Sequence, residues 1–329
     1  MSDRAALSVV VPCFNEADNM RPLHERLSRA CQGAVGDDYE IVYVNDGSRD
    51  ATWARIHAIM QEDAHIVAVN LSRNFGHQIA VTAGLEQCRG ASALIIDADL
   101  QDPPELIGPM LAKMAETGAD VVYGQRIKRH GESAFKRVTA AAFYRLFRLI
   151  ADIEMPADTG DFRLISRRVV ETLGQMPERQ RFLRGMIAWV GFVQVAFPYE
   201  RDERLRGTTK YPFRKMLRFS IDAFTAFSIA PLRLATLLAL IALTASIPLI
   251  LYIAIGLLTG RVVQGWASVM TVVIFFGSVQ LLVLGVVGEY IGRLMMESKH
   301  RPLYLADAVL RKGDVLPIGR TSDGARKNG

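Results

Sequence analysis

The sequence predicts an α/β domain followed by a hairpin of two membrane helices. Short apolar runs recur with helical stretches between them, the rhythm of an α/β sheet. The runs do not alternate polar with apolar, as expected of strands covered on both faces. Beyond them lie two stretches without a charge, residues 234–259 and 262–288, each long enough to cross a hydrocarbon core as a tilted helix. Only Gly260-Arg261 separates them, so the pair reads as a hairpin.

In chain order, the first strand is expected over residues 7–11, a continuous apolar run ending at Pro12. The second, 41–44, is closed by the turn formers Asn45-Asp46-Gly47-Ser48. Further strands are expected at 66–71, 93–96 and 120–123, with helices at 18–31, 52–62, 77–87 and 104–117 between them. After Ser133 a helix carries Phe143, Tyr144, Leu146, Phe147 and Ile150; a short strand around 162–165 and an alternating strand through Val193, Val195 and Phe197 follow. Residues 211–227 set Arg214, Lys215 and Arg218 against Phe213, Leu217, Phe219, Ile221, Phe224 and Phe227, the pattern of a helix lying in a membrane interface. The chain thus divides into a domain at 1–210, a juxtamembrane region at 211–230, two spans within 231–292, and a C-terminal tail at 293–329. Gly, Arg and Ser enrichment from 313 onward predicts disorder there.

The net charge is +5, and residues 201–233 alone carry eight basic against three acidic residues, just before the first apolar stretch. Arg293, Lys299 and Arg301 follow the second, while the hairpin tip carries only Arg261. The positive-inside rule then places both termini and the N-terminal domain in the cytoplasm, and the basic belt suits anionic lipid headgroups. Nucleic-acid binding would explain the basicity but not its position, so no nucleic-acid partner is expected. No signal peptide is visible, and Cys13, Cys31 and Cys88, without metal-ligand spacing, are expected as reduced thiols.

Residues 93–102, ALIIDADLQD, stop an apolar strand at Asp97 and Asp99. On a strand, i, i+2 spacing aims both carboxylates to one side. At the carboxyl end of a buried strand they would hold a hard divalent cation, Mg²⁺ or Mn²⁺, which in turn seeks phosphate oxygens. An isolated Asp-x-Asp reads equally as a solvated turn. Asp46 can accept a nucleobase imino N–H and Glu16 can hold ribose hydroxyls, although Asn-Asp-Gly-Ser is also an ordinary turn and cap. No G-x-G-x-x-G follows the first strand, which argues against a dinucleotide-dependent oxidoreductase.

Seven segments occur in one order: SVVVPCFNEADN, VYVNDGSRDAT, LSRNFGHQIAVTAG, IIDADLQDPPE, VYGQR, DTGDFRLISRRVV and RLRGTTKYPFRKML. In these the chain resembles the inverting, metal-dependent family 2 glycosyltransferases of GT-A fold. More narrowly, it resembles bacterial polyisoprenyl-phosphate glycosyltransferases of the bactoprenol glucosyltransferase type, relatives of dolichol-phosphate mannose synthase. The resemblance covers about residues 5–300. It implies that Asp97 and Asp99, followed by Gln101, bind the metal on a sugar-nucleotide diphosphate. Pro12, Asn15, Glu16, Asp46 and Asp97 match the nucleotide pocket. Arg126 matches an arginine near the transferred sugar or acceptor phosphate, and Asp161 the acidic residue near the reacting centre, with Asp158 as a second candidate. Arg204 and Lys210 match phosphate-holding residues of a basic loop, and Lys136 and Arg137 are further candidates for the lipid phosphate.

The expected reaction is transfer of a hexose, glucose from UDP-glucose, to undecaprenyl phosphate at the cytoplasmic face. Alternatives are another donor (galactose, N-acetylglucosamine, mannose or a modified arabinose) or a non-catalytic membrane accessory. His24, His57 and His77 show no ligand spacing and read as surface or capping residues, and Trp189 and Tyr199 as packing. Gln180-Arg181-Phe182-Leu183-Arg184 approaches the Gln-x-x-Arg-Trp of processive synthases, but its arginine comes one place late. Glu289 is expected at headgroup level. Gly277, Gly285 and Gly288 offer a small-residue face for self-association into a homo-oligomer.

Overall fold

The computed structural model describes residues 5–127, 159–200, 230–259, 265–311 and 314–316. The chain divides into two compact units, one of residues 1–144, 153–210 and 301–329, the other of 145–152 and 211–300. The first holds β1 (Leu7–Cys13), α1 (Met20–Val35), β2 (Tyr39–Asn45), α2 (Thr52–Glu62), β3 (Ile66–Leu71), α3 (His77–Gln87) and β4 (Ser92–Ile95). A 3₁₀ turn (Pro104–Leu106) leads into α4 (Ile107–Thr117), followed by β5 (Val121–Arg126). Then come β6 (Thr159–Ser166), α5 (Arg167–Gln175), α6 (Leu183–Trp189) and β7 (Gln194–Tyr199).

These strands form one mixed sheet in the order β7-β5-β6-β4-β1-β2-β3, extended by two further strands described below. The β4-β1-β2-β3 core is parallel, and β6 runs antiparallel between β4 and β5. Every residue of β1 and β2 is buried, which explains why those runs show no alternation. α1 buries Met20, Leu23, Leu27 and Cys31, a stripe at helical spacing, on one face of the core. On α3, residues 80–85 are all buried; Gly84 lies so close to the Val10 side chain that a Cβ there would clash, which is what lets this helix press on β1.

The structure lengthens several expected elements. β1 runs through Pro12 to Cys13: Val10 bonds toward β4 and Cys13 toward β2, so the missing donor of Pro12 falls on the β4 side, beyond the last β1–β4 pair. β6 begins at Thr159 rather than near Phe162, and α5 and α6 occupy a stretch to which no element was assigned.

A larger difference lies at the C-terminus. Residues 306–311, expected as part of a tail, form β8 (Ala306–Arg311), antiparallel to β3 with Val69 opposite Val309. β9 (Asp314–Leu316) pairs with β8 inside the segment expected to be disordered. Leu310 packs on the core, Arg311 reaches Glu40 at 2.9 Å, and Tyr304 Oη donates to Glu86 at 2.6 Å.

The second unit contains α7 (Ala230–Leu258), which carries Pro248, and α8 (Trp266–Ser298); the two pack against each other. α8 is long and apolar enough, over Val272–Ser298, to cross a membrane, and α7 contributes a shorter apolar stretch, Ala235–Pro248. Glu289 pairs with Arg293 at 2.9 Å, one turn apart on α8. Added Cβ atoms at Gly277, Gly285 and Gly288 would meet open space.

Candidate active site

The chain leaves β1 toward β2 and β3, then returns through α3 to β4 on the other side of β1. That reversal leaves a crevice between the carboxyl ends of β1 and β4, where open α/β sheets bind ligands. The loops after β1, β2 and β4 converge there.

The β1 and β2 loops are fastened to each other. Asn15, in the left-handed region at φ 57°, accepts from Arg49 N–H at its side-chain oxygen (2.8 Å), and its own N–H donates to Ser48 Oγ (3.0 Å). Glu16 N–H donates to Thr52 Oγ1 (2.9 Å) and Ala17 N–H to Asp50 (3.2 Å). Asn15, expected in the nucleotide pocket, therefore also serves as the clasp between two loops.

Asp46 follows β2 directly and is buried. Its Oδ1 accepts from Phe75 N–H (2.7 Å) and its Oδ2 from Gly76 N–H (3.0 Å). Burial pushes its pKa above the usual carboxylate value, against those two hydrogen bonds. This carboxylate thus fixes the segment that opens α3. Gly47 lies beneath the same segment at φ 62°, and a Cβ there would fall against the backbone of Arg73 and Asn74. Gly47→Ala is expected to cost about 1–2 kcal/mol from the left-handed backbone alone. It should also displace residues 73–76 and weaken UDP affinity about tenfold. Thermal melts and UDP titration check this, and unchanged UDP affinity would detach this loop from the site.

Asp97 and Asp99 follow β4 but do not lie on it, which corrects the strand-alternation argument. β4 ends at Ile95, Ile96 N–H makes a last bond to the Val10 carbonyl (3.1 Å), and Leu100 turns the chain at φ 60°. Asp99 Oδ1 accepts from Gln101 N–H (3.2 Å), so a side-chain-closed turn, not the pleat, orients it. Both carboxylates still act on Glu16: its pKa is raised first by burial, then by the charges of Asp99, Asp50 and Asp97, against a lowering hydrogen bond from Asn19. Three strand-end carboxylates crowding one another are a donor set suited to a hard cation. Among the described residues no group of three or more His, Cys, Asp or Glu side chains is placed to hold a metal ion by itself. Mg²⁺-type sites, however, commonly use one or two carboxylates and complete their shell with substrate phosphates. The residues fit such an ion.

On the far side of β4, Asp161 lies on β6. Its Oδ1 pairs with Arg184 Nε at 2.9 Å; its Oδ2 accepts weakly from Gln78 Nε2 at 3.5 Å and lies 3.8 Å from His77 Nδ1. His77 Nε2 meets Asp97 Oδ1 at 2.7 Å. Burial lowers the His77 pKa, but the hydrogen bond and charge of Asp97, with Asp161, outweigh it and leave it above the ordinary imidazole value. His77 is exposed at the first turn of α3, as expected of a surface residue, and in addition it faces both of these carboxylates. Arg184, set aside for its displaced spacing, is likewise part of the site. Arg163, beside Asp161, is buried, and desolvation brings its pKa down to about 10.

Arg126 ends β5 and lies over Gly160, where a Cβ would stand 2.7 Å from its Nη2. Its Nε is buried without a hydrogen-bond partner among the described residues. It is bonded to Tyr199, whose hydroxyl donates to buried Asp102 at 2.5 Å. Tyr199 packs on Phe162, as expected of a packing residue, whereas Trp189, expected to pack, is 64% exposed. All three cysteines are buried and free.

Residues 8–174 match the model of Glycosyl transferase family 2. The chain belongs to this family. Its mixed α/β sheet is the family's GT-A glycosyltransferase fold. The bactoprenol glucosyl transferase of Shigella phage SfV is 39% identical over 300 residues, 91% of this chain and 97% of its own. An uncharacterized glycosyltransferase of Bacillus subtilis (strain 168), YkcC, is 44% identical over 306 residues, 93% of this chain and 94% of its own. Among solved structures, the mannosyltransferase PcManGT of Pyrobaculum calidifontis, in complex with GDP-Man and Mn²⁺, is similar with a TM-score of 0.45 and 18% identity, covering 86% of this chain and 88% of that one.

Of the residues singled out from the family resemblance, the structure brings Asn15, Glu16, Asp46, Asp97, Asp99, Gln101, Asp161 and Arg126 to the carboxyl ends of β1, β2, β4 and β5 and the start of β6. Pro12 is inside β1. Asp158, Lys136, Arg137, Arg204 and Lys210 lie outside the described residues. His77 and Arg184 were not singled out because neither falls at a ligand spacing. The signal that could have found His77 is its place at the first turn of a helix entered directly from a strand-end loop.

Proposed function

We propose that this glycosyltransferase moves glucose from UDP-glucose to bactoprenol (undecaprenyl) phosphate, with inversion, at the cytoplasmic face of a bacterial membrane. The observation that carries the reading is the near full-length match to bactoprenol glucosyl transferases, apolar helices included. It is supported by the convergence of Asp97, Asp99 and Glu16 at the switch point of the sheet.

The acceptor is a phosphate monoester with a second pKa of about 6, so its oxygen is already anionic near neutrality. It needs little deprotonation. Both oxygens of Asp161 face donors, Arg184 on one side and Gln78 and His77 on the other, so Asp161 orients the acceptor side rather than abstracting a proton. The harder task is bringing two anions together. Arg126 supplies fixed positive charge close by, and Arg204, Lys210, Lys136 and Arg137 are assigned to the acceptor phosphate. Asp97 and Asp99, with Gln101, would hold Mg²⁺ or Mn²⁺, whose charge stabilises a departing nucleotide diphosphate. Asp46, by holding residues 75 and 76, shapes the nucleoside end of the pocket.

An acceptor with a long isoprenoid chain stays in the bilayer, so the enzyme must work at the membrane surface. β8 follows α8 in the chain yet belongs to the same sheet as β3, which precedes α7. Both flanks of the helical pair therefore belong on one side of any membrane. An even number of crossings follows, in support of two spans by α7 and α8. The basic residues before α7 favour the cytoplasmic side.

The test incubates membranes containing the protein with labelled UDP-sugars, Mg²⁺ or Mn²⁺ and undecaprenyl phosphate, then extracts into organic solvent. Labelled lipid from UDP-glucose is expected. Label only from another nucleotide sugar would reassign the donor, and none from any donor would sink the enzymatic reading.

A further inference from the structure

Resting on the donor-site reading above, we propose that His77 is a positioning residue that locks the donor-side carboxylate Asp97 to the acceptor-side carboxylate Asp161. Its side chain reaches both, at 2.7 Å to Asp97 and 3.8 Å to Asp161. Those carboxylates arrive on different strands: Asp97 in the turn after β4, Asp161 on β6. Carboxylates brought together without a positive or donating group between them would repel and swing apart.

His77 is itself aimed from two directions. Upstream, Gly76 stands at φ 100°, a conformation that L side chains rarely adopt, and its N–H is held by Asp46. Downstream, Gln78 is clamped through Oε1 by Leu183 N–H (2.9 Å), and its amide nitrogen lies 3.2 Å from His77 Nδ1. The imidazole is therefore anchored by the nucleoside-side loop and by the start of α6, which also carries Arg184. One ring nitrogen serves the metal-binding end of the site and the other faces the acceptor end. Partners that orient ligating carboxylates commonly account for ten- to a hundredfold in metal affinity or activity.

The two ring nitrogens can be tested separately, because a glutamine side chain places its amide near the Nε2 position and leaves nothing at Nδ1. The full-length protein in detergent is titrated with Mn²⁺ in the presence of UDP, following free Mn²⁺ by electron paramagnetic resonance. Transfer is measured in parallel for KM and kcat. His77→Ala is expected to weaken Mn²⁺ binding and raise KM for UDP-glucose about tenfold, and to lower kcat about tenfold. His77→Gln is expected to restore Mn²⁺ affinity and KM while kcat stays low. Wild-type Mn²⁺ affinity, KM and kcat in His77→Ala would overturn the proposal. Tighter Mn²⁺ binding in that variant would also overturn it, because His77 would then compete with the ion rather than position its ligand. If the wild-type protein with UDP bound no Mn²⁺ at all, the donor-site reading would fall and this inference with it. Wild-type binding with an indifferent alanine variant would remove this inference alone.

Discussion

Asp99→Asn is expected to lower sugar transfer at least a hundredfold while leaving the melting temperature unchanged or slightly higher. The substitution preserves shape and keeps a side-chain oxygen to accept from Gln101 N–H, now at 3.2 Å, so the turn after β4 should survive. What disappears is a negative charge. A hard cation loses a formally charged ligand, and electrostatic contributions of this kind are worth roughly 10²–10³ in rate when removed singly. The stability effect has the opposite sign. Glu16 is held above its usual pKa first by burial and then by repulsion from Asp99, and neutralising Asp99 relieves that repulsion. A gain or no change in stability with loss of turnover is the signature of a group kept for chemistry at the fold's expense. Differential scanning fluorimetry alongside the transfer assay reads both. Surviving metal-dependent transfer would show that the ion is held elsewhere.

Arg311→Ala is expected to destabilise the catalytic domain by about 3 kcal/mol, although it lies far along the chain from the strands it secures. Arg311 Nη1 donates to Glu40 Oε2 at 2.9 Å, with 13% and 10% of the two side chains exposed, across 271 residues of sequence. It also donates to the Gln87 carbonyl at the end of α3. Glu40 Oε1 accepts from Ser8 Oγ (2.7 Å) and from Arg89 N–H. Removing the guanidinium leaves a nearly buried carboxylate with neutral donors alone, and breaking such pairs costs about 3–5 kcal/mol. The low end applies because both groups keep some contact with water. For a domain of this size the shift in melting temperature is roughly 6–12 °C. Pairing the change with Glu40→Gln should recover a large part of the loss, since the stranded charge is then gone. A loss below about 1 kcal/mol would mean that β8 is an ornament on the sheet.

The central strands were legible because each is covered on both faces and so reads as a largely unbroken apolar run. Leu7 to Pro12 and Ile66 to Leu71 show this directly. β8 was illegible for the opposite reason. Its residues, Ala-Asp-Ala-Val-Leu-Arg, carry too little apolar pattern to stand out, and their partner strand lies at the other end of the chain. The carboxylates at 97 and 99 were legible as residues but not as geometry, since nothing in the spacing shows that the strand stops at Ile95. His77 was hidden for a third reason. A histidine at a helix start is an unremarkable surface residue until the tertiary fold sets β4 and β6 beside it.

The pairing of β8 with β3 also sets an order of events during synthesis. Asn70 of β3 meets Asp307 only after 237 further residues have been made. Until then the outer edge of β3 is an open row of backbone donors and acceptors, a template for misplaced strands. Translation must pass through both apolar helices before that edge can be closed. The sheet is therefore sealed only after both apolar helices have emerged from the ribosome, and a nascent chain that stalls within them stalls with its sheet unfinished.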